Sequence, residues 1–145
     1  MTIAVSDEVR QFWSDFCSEH SVGLGEPYQV WYFGNTAAMA DELTELVLAG
    51  RKVATASLLK TNELNPSDAP ITGGYSVVTD FHSEPKCVLQ TTKVRQVRFK
   101  DVEPDFAAAE GEGDLSLEYW RSVHRDYFNR EAEEYGFEFD DESVV

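Results

Sequence analysis

Residues Gly50 to Ser57 mark a change of backbone state that any fold of this chain must accommodate. Ahead of them, Met39, Leu43, Leu46 and Val47 form an apolar stripe at helical spacing, with Asn35 or Thr36 placed to cap it. Gly50 suits the left-handed residue that closes such a helix. Beyond it, Val53, Thr55, Ser57 and Leu59 alternate with Ala54, Ala56 and Leu58, which predicts a strand from Val53 to Leu59. The junction delivers one basic side chain, Lys52, and two hydroxyls, Thr55 and Ser57, from a loop held by rigid elements, where sites are often built. A plain helix stop followed by strand filler fits the same residues, and the local pattern does not choose. Small Ala54 and Ala56 leave room for a packed helix or for a ligand.

The rest of the chain mixes the two periods. Val9, Phe12, Trp13, Phe16 and Cys17 fall on one helical face behind Ser6, a suitable N-cap, with Asp7 and Glu8 at the positive end of the dipole. Tyr28 to Phe33 is a dense run of β-formers with aromatics on both faces, so a strand covered on both sides is expected. Trp31 within it is either core or a stacking surface for a base. Thr61 to Thr72, with Pro66 and Pro70, has loop composition. Tyr75 to Thr79 reads as a strand, Asp80 to Pro85 as a hairpin connection, and Lys86 to Phe99 as one long strand or two with a bend. A short helix is expected over Asp105 to Glu110, and a long one from Leu115 to about Tyr135, capped by Asp114 or Ser116. Its stripe is Leu117, Trp120, His124, Tyr127 and Phe128. Phe137 to Val145 reads as a frayed, acidic end.

A length of 145 residues predicts one domain with one core. The net charge of −15 argues against binding duplex DNA along a basic face, because most of such a surface repels polyanions. From Glu103 to Val145 there are 14 acids against 3 bases, so that segment carries −11 of the total. Five of the twelve basic residues, Lys86, Lys93, Arg95, Arg98 and Lys100, share a stretch without an acid; it reads as a solvated strand face or as a local basic groove. Cys17 and Cys87 read as small buried hydrophobes, neither a disulfide framework nor a CxxC metal site. The N-terminus meets acids at once and has no positive n-region, so no signal peptide is expected. No apolar run is long enough to span a membrane. A cytoplasmic protein is expected.

The acidic turn Glu110-Gly111-Glu112-Gly113-Asp114 is the second informative stretch. Crowded carboxylates raise at least one proton affinity, which is how a general acid is made. They can also collect a hard divalent ion. The same acids suit the dipole of the helix that follows, and the choice stays open, as does any metal requirement. His124, between Trp120 and Phe128, reads as a half-buried core residue as readily as a catalyst. There is no GxSxG, Walker loop, HExxH or paired CxxC motif. The nucleophile candidates are therefore Thr55 and Ser57, with Lys52 as a base if its surroundings free a lone pair.

Leu46 to Thr55 contains Gly50, Lys52 and Thr55 in an arrangement that resembles the G-x-K-x-x-T signature of ASCH domains. Trp31-Tyr32-Phe33-Gly34, the acidic turn with the preceding Ala109, and Trp120, Arg121 and His124 resemble the longer bacterial subgroup of that family. The resemblance runs from Tyr28 onward, with residues 1–25 as an N-terminal helical extension. It implies an α+β fold, a PUA-like mixed β-barrel flanked by helices, with a pocket for RNA or modified nucleosides. Related small members hydrolyse the amide of N-acetylated cytidine with a lysine base, a threonine nucleophile and a glutamate proton donor; others are described as ribonucleases. Lys52 and Thr55 match the first two roles, and Glu112 rather than Glu110 matches the third. Those hydrolases carry an arginine shortly after the threonine, where this chain has Ser57.

The resemblance therefore implies a hydrolase without a cofactor, acting on a modified nucleoside or single-stranded RNA. Lys52, Thr55 and Glu112 would react. Trp31 and Trp120 would stack on the base, and Ser57, Glu110, Arg121 and His124 would bind the substrate or orient the carboxylates. A non-catalytic RNA-binding module is the alternative. It requires a continuous basic groove along Lys86 to Lys100, whereas the enzyme requires Lys52, Thr55 and Glu112 in one pocket.

Overall fold

The computed structural model describes residues 5–145. Residues 1–4, part of the N-terminal stretch expected to carry no signal peptide, lie outside the described residues. The fold is mixed α+β, with five α-helices and one three-stranded sheet among the described residues. Internal contacts divide it into two units: the chain up to Leu48 with Pro70–Val94, and Ala49–Ala69 with Arg95–Val145.

The first unit is a helix on a sheet. Helix α1 (Asp7–His20) starts where the Ser6 hydroxyl accepts from the Val9 amide, and it ends at Ser21 in the left-handed conformation. Its apolar face lies on strand β1 (Tyr28–Trp31), which pairs parallel with β2 (Tyr75–Thr79); β2 pairs antiparallel with β3 (Pro85–Gln90). Val9, Trp13, Cys17, Val30 and Val77 form the core, and Trp13 stacks on Tyr28 with centroids 4.6 Å apart. Each such buried side chain contributes roughly 1.5–3 kcal/mol. The hairpin between β2 and β3 is held by the Asp80 carboxylate, which accepts from the amides of His82 and Glu84. A parallel pair needs a long crossover; helix α2 (Ala37–Leu48) lies in it, capped by the Thr36 hydroxyl accepting from the Met39 amide at 3.1 Å.

The second unit packs helices α3 (Leu59–Leu64), α4 (Pro104–Glu110) and α5 (Leu117–Tyr135) around Leu58, Phe99, Val102, Ala107, Trp120 and Phe128. Ser116 caps α5 by accepting from the Tyr119 amide, and Gly136 closes it in the left-handed conformation.

Four sequence expectations change. The expected strand Val53 to Leu59 joins no ladder, and Leu59 already opens α3: Val53 donates to Ala109 O at 2.8 Å and Leu59 to Val144 O at 3.0 Å. The polar stretch after it is α3 and a short 3-10 turn (Pro66–Asp68), with proline in its first turn, where no amide is needed. The long strand stops at Gln90. The acidic end is not frayed: Val97 and Val145 exchange both backbone hydrogen bonds, Phe99 donates to Ser143 O, and Phe137, Phe139 and Val145 pack on the core. The sheet ladders among the described residues form an open sheet, not the closed barrel that the resemblance implied. No described helix is long and apolar enough to cross a membrane.

Candidate functional site

Lys52 is the organising side chain. Gly50 takes the left-handed conformation (φ +74°) and turns the chain out of α2. Two residues later the Lys52 side chain is 2% exposed. Burying an ammonium is unfavourable unless every N–H finds an acceptor, and here three acceptors match its three protons. Nζ donates to Ala54 O at 2.9 Å, to Glu110 Oε1 at 2.6 Å and to Glu112 Oε2 at 3.1 Å.

The partners come from the end of α4. Glu110 is its last residue, and Gly111 follows in the left-handed conformation (φ +73°). A Cβ at Gly111 would run into the carbonyl group of Arg51. Glycine is therefore needed twice there, for its backbone angle and for the close approach of two chain segments. The Val53 amide on Ala109 O fixes the same approach. The result is one glutamate on each side of a left-handed residue, both reaching one ammonium.

The two carboxylates sit in different fields. Glu110 is fully buried. Its Oε2 accepts from Trp120 Nε1 at 2.5 Å and lies 3.1 Å from His124 Nε2. Burial alone would push this carboxyl up, but the His124 hydrogen bond and the charges of Lys52 and His124 outweigh it and bring it down to about 2. Glu112 keeps 13% of its side chain exposed. Desolvation raises its carboxyl above the usual range, and the negative charge of Glu110 adds to the rise against the opposing pull of Lys52. One glutamate is thus held ionised and its neighbour is the more readily protonated of the two.

Glu110, Glu112 and His124 also bring ligand-type atoms within 4.8 Å of one another. The Lys52 ammonium already sits on both carboxylates of that set, so the set reads as an ion-pair network rather than as metal ligands.

The other expected site residues are placed as follows. Thr55 is exposed, three residues beyond Lys52 in the same extended segment. Ser57 is half-buried and accepts a hydrogen bond from Asn62 Nδ2 at 2.9 Å. Trp120 is 2% exposed, its ring stacked on His124 (4.2 Å) and on Phe99 (5.4 Å). It offers the site an indole N–H rather than an open face for stacking. Arg121 donates to the carbonyl oxygens of Lys100 and Val102 and so clamps the backbone before α4. Trp31 belongs to the first unit, edge-on to Phe33 with centroids 4.9 Å apart.

The basic stretch is largely neutralised by acids. Lys86 lies near Asp80 and Glu84, Arg98 pairs with Asp101 and Glu142, and Lys100 pairs with Glu142. Sequence reasoning missed Asn62, the Ala54 carbonyl and the closeness of Gly111 to Arg51. The spacing of Trp120 and His124, four apart on one helix face, was the signal for their pairing. Nothing in that spacing said that the face looks at Glu110.

Comparison with known proteins identifies the family and the fold. The ASCH domain family model matches residues 29–145. An ASCH domain of known structure from Lactobacillus crispatus is 30% identical, with a TM-score of 0.85 over 99% of this chain and 93% of that one. A protein of known structure from Enterococcus faecalis is 33% identical, with a TM-score of 0.84 over 94% of this chain and 82% of that one. No curated protein matches the sequence.

Proposed function

This chain belongs to the ASCH domain family, and from that premise we propose that it is a hydrolase that cleaves the amide of an acylated nucleoside with Lys52, Thr55 and Glu112. The observation that carries this reading is the buried Lys52 ammonium between two carboxylates whose proton affinities are pushed apart.

An ammonium has no lone pair, so Lys52 becomes a base only by giving up a proton. Glu112, already in hydrogen-bond contact and with its carboxyl raised, receives it. One transfer makes both catalysts: an amine at Lys52 and a carboxylic acid at Glu112. Thr55 Oγ then attacks the acyl carbon and yields its proton to Lys52 Nζ. Glu112 protonates the departing nitrogen as the C–N bond breaks, and the nucleoside amine leaves. The acyl group is now an ester on Thr55, and the pair is again ionised. A second proton transfer readies it for water, which gives its proton to Lys52 as it attacks the ester. Glu112 returns a proton to Thr55 Oγ, and a carboxylic acid departs. The sum is amide plus water to acid plus amine, and the pair returns to its starting charge at the end of each half, its excess proton in between balancing the oxyanion of the tetrahedral intermediate.

Two carboxylates beside the base repel a phosphodiester. This favours a neutral acyl group over an RNA backbone, although both chemistries would use the same residues. A screen of N-acylated nucleosides and short RNAs against wild type, Lys52→Ala, Thr55→Ala and Glu112→Gln tests the reading. General acid–base catalysis is worth about 10²–10⁴-fold, so amide hydrolysis should fall by that factor in the Lys52 and Glu112 variants. Hydrolysis that persists unchanged in Lys52→Ala would show the mechanism to be wrong, and cleavage of RNA alone would move the activity to a phosphodiester.

A further inference from the structure

The proton on Lys52 has two carboxylates within reach, and the nearer is not the one the reaction uses. Glu110 Oε1 is 2.6 Å from Nζ and Glu112 Oε2 is 3.1 Å away. If distance alone decided, Glu110 would take the proton and would hold it in a closed interior, away from a leaving group. Something must direct the transfer to the longer contact.

We propose that His124 and Trp120 are positioning residues that hold Glu110 as the permanent anion and so direct the Lys52 proton to Glu112. The inference rests on the reaction proposed above. Its structural part concerns only which carboxylate is free to be neutral.

Both oxygens of Glu110 are occupied. Oε1 takes the Lys52 proton donor, while Oε2 takes the indole N–H of Trp120 at 2.5 Å and faces His124 Nε2 at 3.1 Å. Indole can only donate. Hydrogen bonds to an ionised carboxylate are roughly twice as strong as neutral ones, so protonating Glu110 weakens the contacts at Oε2 together. Glu112 makes its ion pair with Lys52 alone among the described residues, and taking up the proton there leaves the Trp120 and His124 contacts intact.

The pair is itself held firmly. Trp120 and His124 are one helical turn apart on α5, stacked at 4.2 Å and 15°. The His124 ring is fixed by Nδ1 lying 2.9 Å from the Trp120 carbonyl oxygen. The charged or titratable groups that face Glu110 are Lys52 from the extended segment after α2, His124 from α5 and Glu112 from the turn after α4.

Two measurements test this, one of which needs no activity. The ¹³C carboxyl resonances of Glu110 and Glu112, followed through an acid titration, should show Glu110 ionising first and Glu112 last in wild type. The gap should narrow in Trp120→Phe and in His124→Leu, and His124→Gln, which keeps a donor near Nε2, should restore part of it. The Trp120 indole proton should lie downfield of those of Trp13 and Trp31 and should move upfield in Glu110→Gln. A gap unchanged in both Trp120→Phe and His124→Leu overturns the proposal. In the hydrolysis assay, His124→Leu should lower kcat about tenfold or more, the worth of a hydrogen bond to a charged group. KM should stay within about twofold, because both side chains are turned to Glu110 and the proposal gives them no contact with the substrate. A variant that only loosened the core would lower the melting temperature and leave kcat alone, which would also overturn it. If wild type hydrolyses no acylated nucleoside, the reaction has failed, and the carboxyl titrations then decide the positioning role by themselves.

Discussion

Replacing Glu110 by glutamine removes a buried charge while keeping the volume, so its effect reports what that charge contributes through Lys52, Trp120 and His124 together. In the folded chain this carboxyl is held at about 2, against its ordinary 4.5. A depressed carboxyl contributes stability that is present above the unfolded value and is lost as the pH falls through the folded one. The window runs from about pH 4.5 down to about 2, and the contribution is on the order of 3 kcal/mol. Glu112 works in the opposite sense, since a raised carboxyl favours the folded state most when it is protonated. Urea denaturation across that window should therefore show wild type losing stability steadily as the solution becomes more acid, with Glu110→Gln losing less. Equal slopes would place the charge elsewhere. At neutral pH, Lys52→Ala should be the more damaging change, by roughly 3–5 kcal/mol, because it leaves Glu110 buried without its cation. Lys52, Thr55 and the acidic turn were readable in the sequence as candidate chemistry. The residues of the turn alone did not tell the two glutamates apart, and only the resemblance pointed to Glu112, because their different surroundings come from donors brought by another helix.

At the scale of elements, the site depends on how α4 ends. Gly111 gives both the left-handed turn and the space for the Arg51 carbonyl. Gly111→Ala should therefore do more than strain one residue. A methyl group must push the two segments apart, lengthening the contacts of Lys52 to Glu110 and Glu112 together. Strain of this kind costs on the order of 1–3 kcal/mol, visible as a lower melting temperature. The carboxyl titrations of the two glutamates should move toward each other in the same variant. Gly50→Ala tests backbone strain without the clash, since no atom lies within 4 Å of a Cβ at that position. It should keep the paired titrations. Elements with a strong period, such as α1 and α5, were legible with their caps at Ser6 and Ser116. Val53 to Leu59 was misread because an extended backbone alternates its side chains whether or not a strand pairs with it. The end of the chain was misread because its acids masked the three apolar residues, Phe137, Phe139 and Val145, that dock it.

Across the whole molecule, the charge is −15, and three of the five residues of the basic stretch have acids beside them. Within the basic stretch, Lys93 and Arg95 are exposed, while Lys86, Arg98 and Lys100 lie against acids. A single-stranded RNA bound through phosphate contacts would show log affinity falling with log salt by about 0.7 for each phosphate neutralised. A nucleoside held in a pocket carries no such term. Affinity for an acylated nucleoside should therefore change little between roughly 50 and 200 mM salt; a steep dependence, measured by titration calorimetry, would favour the binding module over the enzyme. The net charge was fully legible in the sequence. The local cancellation was not, because Glu142 meets Arg98 and Lys100 only through the docked end of the chain.

The three hydrogen bonds that enclose Lys52 also set its reactivity toward reagents. Acylating agents attack a neutral amine that can reach solvent, and Lys60, Lys86, Lys93 and Lys100 are all exposed. Lys52 is 2% exposed, with each of its protons given to an oxygen of its own chain. Under limiting acetic anhydride, peptide mass spectrometry should find it the last of the five lysines to be labelled, and Glu110→Gln should bring its labelling forward. The amine with the most chemistry assigned to it would then be the one that bulk reagents find least.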